Sequence, residues 1–370
     1  MPTPVFTVGQ AINLLPPVAR CLSVSDNHQT DDALSLKARH CMSHDTQPRS
    51  TISPHDHFSQ ARDAVLVFGL NDRTQIELKG EDRAKFLHGF CTNDIKRLTP
   101  GQGCEGFLTN IKGKVVGHVF VFATATSLWL DTVAGQGKAI ISHLDRYLIR
   151  EDVQFVDHSA DRGALFVTGP DAAQLLMLDE GLPPCGHVAR ESFGQPFDIR
   201  RIDLFGPLEF LISVPRSGVE TVKRSLLAVG CVGGTSELFE SLRIAAGFPQ
   251  YGIDITDENL AQEVARTAQC ISFTKGCYLG QEPIARLDAM GHTNRELRRL
   301  RFDTGAKPTP GIRILAVDTD DDAGLITSVS PLSTATGQTI ALGYLKTRYS
   351  KPDTPVRVLL GNDSRVGTVF

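Results

Sequence analysis

The sequence has no pair of cysteines in the spacing Cys-x-x-Cys, although eight cysteines are scattered along its 370 residues. This absence argues against a disulfide scaffold and against a standard zinc or cluster site, so we predict no metal site. A reducing, cytoplasmic compartment fits this cysteine usage best. The sequence also lacks any apolar run approaching the roughly 18 residues that a membrane-spanning helix needs, which predicts that no membrane is a partner.

Neither sign of charge is in large excess. The chain carries 38 Lys and Arg residues against 42 Asp and Glu residues, a net charge of -4. This balance provides no general attraction to nucleic acid, so we expect no nucleic-acid partner. The contents of 41% hydrophobic and 22% charged residues are typical of a globular protein. The length suffices for two or three domains of roughly 100–200 residues each.

The first 60 residues differ from the rest of the chain. They contain many Pro, Ser, Thr, Asp and His residues and little sustained apolar periodicity. A segment of this composition cannot bury enough apolar surface to order itself. We therefore predict that residues 1–60 form a disordered N-terminal extension that is dispensable for folding.

Two consecutive segments, residues 61–158 and 159–295, repeat one order of predicted elements: strand, helix, paired strands and helix. The repeat also has a sequence echo, in which Gly80-x-Asp82-x-Ala84-x-x-Leu87 recurs as Gly169-x-Asp171-x-Ala173-x-x-Leu176. An internal duplication of this kind favours two α+β units packed about a pseudo-twofold axis. Short strands with Gly and Pro punctuation then predict a small β-barrel or sandwich over residues 296–370.

The most unusual chemistry lies in residues 275–282, which read Lys-Gly-Cys-Tyr-Leu-Gly-Gln-Glu. Glycines at positions 276 and 280 permit a sharp turn and a close approach of the backbone. Pro283 suits the first turn of a helix, which places Gln281 and Glu282 at the helix entrance. The pattern therefore predicts that Cys277 is presented on a turn before a helix.

We predict that Cys277 is the reactive thiol of this protein. Lys275 and Arg286 supply positive charge that favours the thiolate, and the helix entrance adds a favourable dipole, so a pKa of about 8.5 would fall toward neutrality. Cys270 lacks the flanking glycines and serves as an internal comparison. The alternative interpretation is a tight strand-to-helix turn in which the cysteine is simply buried.

The octet at 275–282 resembles the K-G-C-Y-x-G-Q-E motif of the YgfZ family, folate-binding-like proteins linked to iron–sulfur cluster maturation. Further likeness lies at residues 76–83, Thr92-Asn93-Asp94, residues 242–247 and residues 324–328. The resemblance thus extends from about residue 61 to the C-terminus. It implies Cys277 as the central thiol, with supporting roles for Lys275, Gly276, Tyr278, Gly280, Gln281, Glu282 and Arg286.

The YgfZ family is similar in fold to the aminomethyltransferase (GcvT, T-protein) of the glycine cleavage system. The resemblance therefore implies two ferredoxin-like units, a terminal β-barrel and a central cavity suited to tetrahydrofolate. It also implies two kinds of partner, folate and iron–sulfur client or assembly proteins. We expect a monomer.

Three polar groups of the T-proteins are missing from this chain. Their paired Asp is replaced within residues 114–118, and their Asn and Glu align with Val133 and Ala245. Without these groups little remains to orient a pterin or to stabilise developing charge. The sequence thus disfavours aminomethyl transfer, weakens the case for tetrahydrofolate and leaves open whether the protein is an enzyme.

His118, Lys112 and Lys114 are the candidate cofactor-binding residues. His118 lies on a predicted strand, where it either faces the cavity as acid, base or hydrogen-bond partner, or is an ordinary core histidine. The two lysines either attract a polyglutamate tail or phosphate, or are simply solvated. The leading hypothesis is a YgfZ-like accessory protein for iron–sulfur clusters. The alternatives are a folate-dependent aminomethyltransferase and a non-catalytic scaffold whose exposed loop docks a client.

Overall fold

The computed structural model describes residues 63–178, 182–192, 195–291 and 293–370, which all belong to one compact unit. Their strands form two open sheets and one closed barrel, a mixed α/β architecture. The predicted disordered extension over residues 1–60 lies outside the described residues. Within them, no helix combines the length and the apolar character needed to cross a membrane.

The first sheet contains five strands in the order β3-β4-β5-β2-β6. Strands β1 to β6 are Leu66–Gly69, Thr74–Lys79, Gly103–Thr109, Val115–Ala123, Leu128–Thr132 and Gln154–Asp157. Helices α1 and α2 are Arg83–His88 and Gly137–Asp145. Most of these elements were predicted, because their apolar residues recur with the period of a half-buried strand or helix. Ile76 and Leu78 of β2, for example, are both fully buried.

The second sheet contains six strands in the order β11-β1-β7-β10-β9-β8. Strands β7 to β11 are Arg162–Thr168, His187–Ser192, Gln195–Arg201, Phe210–Pro215 and Val232–Gly233, and helices α3 and α4 are Ala172–Leu175 and Val219–Ala228. Strand β1 pairs antiparallel with β7 and parallel with β11. The first described strand of the chain therefore belongs to the second sheet.

Apart from the inserted β1, the two sheets have corresponding strand orders: β6-β2-β5-β4-β3 in the first and β11-β7-β10-β9-β8 in the second. The repeated glycines Gly80 and Gly169 both follow a strand and both have positive φ, 103° and 135°. A side chain at either position would collide with backbone atoms. The sequence echo thus has a conformational cause, since glycine tolerates this backbone and close approach.

A buried ion network connects the two sheets. Asp131 on β5 pairs with Arg200 on β9 at 3.2 Å, and both side chains are at most 1% exposed. Arg73 forms a second salt bridge to Asp131. Phenylalanines from both sheets, among them Phe122 and Phe166, share one buried cluster. Apolar burial therefore holds the sheets together, while the ion network constrains how they face each other.

The C-terminal strands form the predicted barrel, closed in the order β12-β15-β14-β13-β16-β17. Strands β12 to β17 are Arg295–Phe302, Arg313–Ala316, Asp322–Val329, Thr339–Lys346, Pro355–Leu360 and Asp363–Val369. Helices α5, α6 and α7 are Ser236–Ala246, Thr267–Cys270 and Gln281–Met290, and short 3-10 helices lie at Arg216–Gly218, Ala261–Val264 and Thr347–Tyr349. Asp254 links α5 to the barrel through two hydrogen bonds. It accepts one from Arg243 on α5 at 2.7 Å and one from Ser328 on β14 at 2.7 Å.

Candidate functional site

Residues 275–282, called here the motif loop, connect α6 to the start of α7. Gly280 caps α7 with a φ of 82°, and a Cβ at this position would collide with the carbonyl oxygen of Asn110. Gly280 is therefore required both by its conformation and by the close contact. Gly276 is not among the positive-φ residues. Pro283 lies in the first turn of α7, as the sequence predicted.

Lys275 anchors the motif loop from inside the protein. It is 7% exposed, and its Nζ donates hydrogen bonds to the carbonyl oxygens of His88 and Cys91 at 2.6 Å and of Asn93 at 3.1 Å. These carbonyls lie at and just beyond the end of α1, where helical partners are lacking. Burial lowers the pKa of Lys275 to about 8. The prediction treated this lysine as a charge beside the thiol and missed its role as an anchor.

Backbone and threonine contacts continue this attachment. Thr92 Oγ1 donates to the carbonyl of Cys270 at 2.6 Å, and the Ser272 amide donates to the carbonyl of Thr92 at 3.0 Å. The Leu279 amide donates to the carbonyl of Gly89 at 2.8 Å, while Thr109 Oγ1 donates to the Leu279 carbonyl at 2.6 Å. Two segments singled out by sequence, residues 92–94 and the motif loop, thus lie together although they are far apart in the chain.

The motif loop exposes its cysteine. Cys277 is the exposed member of the six cysteines that the structure describes. Tyr278 beside it is 8% exposed, lies under the Lys275 ammonium at 4.7 Å, and has its pKa raised by burial to about 12. Glu282 and Arg286 are exposed and Gln281 is half-buried. The loop therefore combines buried anchoring residues with an accessible thiol.

The turn at residues 110–113 packs against the start of α7. A Cβ at Gly113 would lie 3.2 Å from Pro283 Cγ and 3.3 Å from the carbonyl oxygen of Gly280, so the turn and the helix start are in close contact. Lys112 is exposed at the tip of the turn, and Lys114 forms a salt bridge of 2.5 Å with Glu258. The structure therefore brings both candidate lysines to the motif loop, with Lys114 already paired.

His118 lies elsewhere, in a buried cluster that also contains Glu105, Arg266 and Cys270. Its Nε2 is 2.6 Å from Glu105 Oε1 and 3.9 Å from Cys270 Sγ. Arg266 Nη2 donates to Glu105 Oε2 at 2.5 Å, and Arg266 Nε donates to Oε1. The sequence analysis did not identify Glu105 or Arg266 as candidate residues. The one indication of this cluster in the sequence was the alternating pattern that placed His118 on a strand.

The buried cluster is organised around an ionised carboxylate. Burial by itself would raise the pKa of Glu105, but hydrogen bonds from His118 and Arg266 outweigh it and lower the pKa to about 2. The ring of His118 stacks on Phe248 with centroids 5.4 Å apart, and the Arg266 guanidinium lies 4.6 Å from the Phe248 centroid. The carboxylate is therefore the counter-ion of Arg266 and a hydrogen-bond partner of His118.

The contacts define what the buried cluster does chemically. One nitrogen of His118 faces both Glu105 and Cys270, whereas a nucleophile relay needs the carboxylate and the thiol on opposite ring nitrogens. Burial raises the pKa of the Cys270 thiol well above its usual range. Glu105, His118 and Cys270 place ligand atoms within 4.8 Å of one another, but Arg266 occupies both Glu105 oxygens. The arrangement is that of a structural ion-pair cluster.

Two cavities could hold a ligand, and one of them borders the buried cluster. The smaller, about 240 Å³, is bordered by Glu105 and Arg266 together with Asn93, Cys104, Cys185 and Asp203. The larger, about 310 Å³, is bordered by Val133 and Phe239 together with Asn71, Asp72, Glu240 and Gln250. Asn71 Oδ1 is buried and has no hydrogen-bond partner among the described residues. The larger cavity thus offers an aromatic ring and carboxylates.

Comparison with known proteins places this architecture among its relatives. The family model described as the GCVT N-terminal domain matches residues 49–272. A putative chloroplastic transferase of Arabidopsis thaliana is 29% identical over 303 residues, covering 79% of this chain and 68% of the relative. An aminomethyltransferase of Nostoc sp. is 28% identical over 315 residues, covering 80% and 81%.

The crystal structure of glycine cleavage system aminomethyltransferase T from Bartonella henselae has a similar fold. It aligns with a TM-score of 0.75 and 20% identity, covering 86% of this chain and 88% of that one. This likeness confirms the aminomethyltransferase-like fold expected from the sequence.

Proposed function

Because the chain belongs to the family of the GCVT N-terminal domain, we propose that it is a folate-binding accessory protein that supports the assembly or repair of iron–sulfur clusters. In this proposal the thiol of Cys277 acts on the iron–sulfur client protein. The observation that carries it is the exposure of Cys277 on a loop whose neighbours are anchored in the protein. Within the family, we propose that the protein is of the YgfZ type.

Exposure and anchoring support a role for the thiol toward another protein. Cysteine thiolates are the groups that hold iron–sulfur clusters, so an accessible thiol is chemically suited to a cluster on a client surface. Lys275 and Thr109 hold the backbone on both sides of Cys277. A loop fixed in this way presents its sulfur in one position, which is what a functional side chain needs.

Tetrahydrofolate is the cofactor that we assign to the larger cavity. A pterin offers an aromatic face and a polar edge of nitrogen donors and an oxygen acceptor. Phe239 suits the face, and the carboxylates of Asp72 and Glu240 suit the donors. Bound tetrahydrofolate supplies a carrier for one-carbon units. Lys112 is the candidate contact for its anionic tail, because Lys114 is paired with Glu258.

The test is complementation of a deletion strain, with the activities of iron–sulfur enzymes as the readout. We expect the wild type to restore them and Cys277→Ala to fail, with unchanged folding by circular dichroism. Cys270→Ala, which removes a buried thiol, should complement. Full complementation by Cys277→Ala would refute the role of the thiol. Equilibrium binding of tetrahydrofolate, reduced by Glu240→Gln, separates this proposal from a scaffold that binds no folate.

A second candidate is aminomethyl transfer of the glycine cleavage type. It is favoured by the relatives that carry the name aminomethyltransferase. Against it, Val133 contributes no polar group to the larger cavity, and Ala245 packs in an apolar cluster. Reconstitution of glycine cleavage with purified components decides between the two functions, since the accessory protein should show no turnover.

We also propose that the two sheets with their helices are ferredoxin-like units related by a pseudo-twofold axis, within domains at residues 61–158, 159–295 and 296–370. Their corresponding strand orders support this. Superposition of β2 to β6 on β7 to β11 tests it, and misaligned helices would contradict it. We also expect the protein to be cytoplasmic and monomeric. Cell fractionation tests the first expectation, and light scattering tests the second.

A further inference from the structure

A third cavity, of about 260 Å³, lies on the barrel and has no part in the proposed function. Four strands contribute to it, and its lining includes Arg295, Arg313, Asp322, Gly324, Tyr344 and Lys346. Arg295 is paired with Lys346 across β12 and β15. Leu325 is paired with Tyr344 on one side and with Arg313 on the other. Because paired residues share a face of a sheet, these side chains project together.

Positive charge predominates in this barrel cavity. Asp322 is its acidic lining residue and is bound by Lys346 at 2.8 Å. Arg295 forms a salt bridge with Glu263 at 3.1 Å, and its side chain is 42% exposed. Arg313 is exposed and forms no salt bridge with any residue in the described ranges. The cavity therefore has an arginine whose charge is not compensated by a direct contact.

Tyr344 adds an unused hydrogen-bond donor. The residue is 6% exposed, and its hydroxyl has no hydrogen-bond partner among the described residues. Burial raises the pKa of Tyr344, so the hydroxyl keeps its proton. The Arg295 guanidinium lies 5.0 Å from the centroid of its ring. A buried hydroxyl without a partner is unfavourable, and a ligand oxygen beside the arginines would satisfy it.

Gly324 on β14 lets neighbouring strands approach closely beside this cavity. A Cβ at this position would collide with the carbonyl oxygen of Tyr344 on the neighbouring strand. On the face of the sheet that carries Arg313 and Tyr344, the register places Leu325 of β14 between them.

We propose that the barrel cavity binds an oxyanion, a phosphate or carboxylate group of a small ligand, through Arg295, Arg313 and the hydroxyl of Tyr344. Guanidinium groups recognise both kinds of oxyanion with paired hydrogen bonds. The phenol provides a neutral donor that a lysine cluster lacks. The candidate lysines Lys112 and Lys114 do not line this cavity, and the site does not depend on the proposed function.

The test is isothermal titration calorimetry of the full chain with two probes, pyrophosphate and glutarate, at low ionic strength. We expect saturable 1:1 binding of at least one probe, and the tighter probe identifies the source of the oxyanion. Arg313→Met should weaken binding by roughly tenfold, the loss of one charge-assisted contact. Tyr344→Phe should weaken it by roughly threefold to tenfold at unchanged melting temperature.

Lys138→Met provides the matched control, because it removes an exposed cation on α2 that is not among the lining residues of the barrel cavity and should leave the affinity unchanged. Three results would overturn the proposal: no saturable binding of either probe, equal binding by Arg313→Met and wild type, or equal losses in Arg313→Met and Lys138→Met. The last result would assign the binding to surface charge in general. Arg313 is exposed, so its replacement leaves the barrel core intact.

Discussion

Cys270 and Cys277 belong to the same short stretch of chain, yet the structure gives them opposite environments. Cys270 is 0% exposed beside Glu105 and His118, and burial raises the pKa of its thiol. Cys277 is exposed on the motif loop. The comparison teaches that burial, rather than the residues adjacent in sequence, decides which thiol is accessible to chemistry.

The buried cluster and the motif loop also stabilise their cations differently. Arg266 of the buried cluster is neutralised by a carboxylate, whereas Lys275 of the motif loop is surrounded by neutral carbonyl oxygens. A carboxylate partner keeps a buried cation charged, and the pKa of Arg266 is raised against the lowering effect of its burial. Neutral partners do not compensate burial fully, and the pKa of Lys275 falls to about 8.

The largest effect should come from breaking the buried cluster. Glu105→Gln leaves the largely buried Arg266 without its counter-ion, so we expect a loss of about 3–5 kcal/mol in the free energy of unfolding by urea denaturation. Glu258→Gln, which removes the 75% exposed partner of Lys114, should cost less than about 1 kcal/mol. Equal losses in the two variants would mean that the buried cluster has no special electrostatic role.

Acid should weaken the buried cluster in a defined window. The pKa of Glu105 is about 2 in the folded protein against 4.5 for the free carboxyl. The stabilisation is therefore complete above about pH 4.5 and is lost as the pH falls toward about 2, by about 3 kcal/mol in total. Urea denaturation across this window should show a shallower decline in Glu105→Gln than in the wild type. Parallel declines would contradict the assignment.

An intermediate effect should follow from releasing the motif loop. Lys275→Met keeps the apolar stem but leaves the carbonyls of His88, Cys91 and Asn93 without their donor, so we expect about 2 kcal/mol of destabilisation. Hydrogen exchange should accelerate at the Leu279 amide, which otherwise donates to Gly89. Lys112→Met is the control and should change neither quantity. Unchanged exchange in Lys275→Met would show that the loop is held without this lysine.

The smallest stability effect should belong to Cys277 itself. Cys277→Ala should alter the free energy of unfolding by less than about 0.5 kcal/mol, as for other exposed positions. Cys270→Ala removes a buried sulfur and should cost about 1 kcal/mol. Alkylation of the native protein with iodoacetamide, followed by peptide mass mapping, should modify Cys277 and spare Cys270. Modification of Cys270 first would reverse the comparison.

Sequence periodicity predicted β2 and most strands of the barrel, but it did not predict β1, β8 or the C-terminal barrel strand β17. Strand β1 has only four residues, too few for a periodic pattern to stand out. Gly280 and Pro283 were correctly assigned to a turn and to the first turn of a helix, because backbone conformation at glycine and proline is a local property. The same reasoning could not predict Gly276, whose backbone needs no glycine-specific conformation.

The sequence by itself determined the motif loop, its helix, the repeated glycines and the C-terminal barrel, since each depends on neighbours in the chain. Only the tertiary structure decided that β1 enters the second sheet and that Lys275 caps carbonyls beyond α1. It also joined Glu105 to Arg266, which lie 161 residues apart. Such contacts form because burying a charged group without a partner is energetically costly. Which residue becomes the partner depends on the packing of segments that are distant in the sequence, so the sequence pattern does not reveal it.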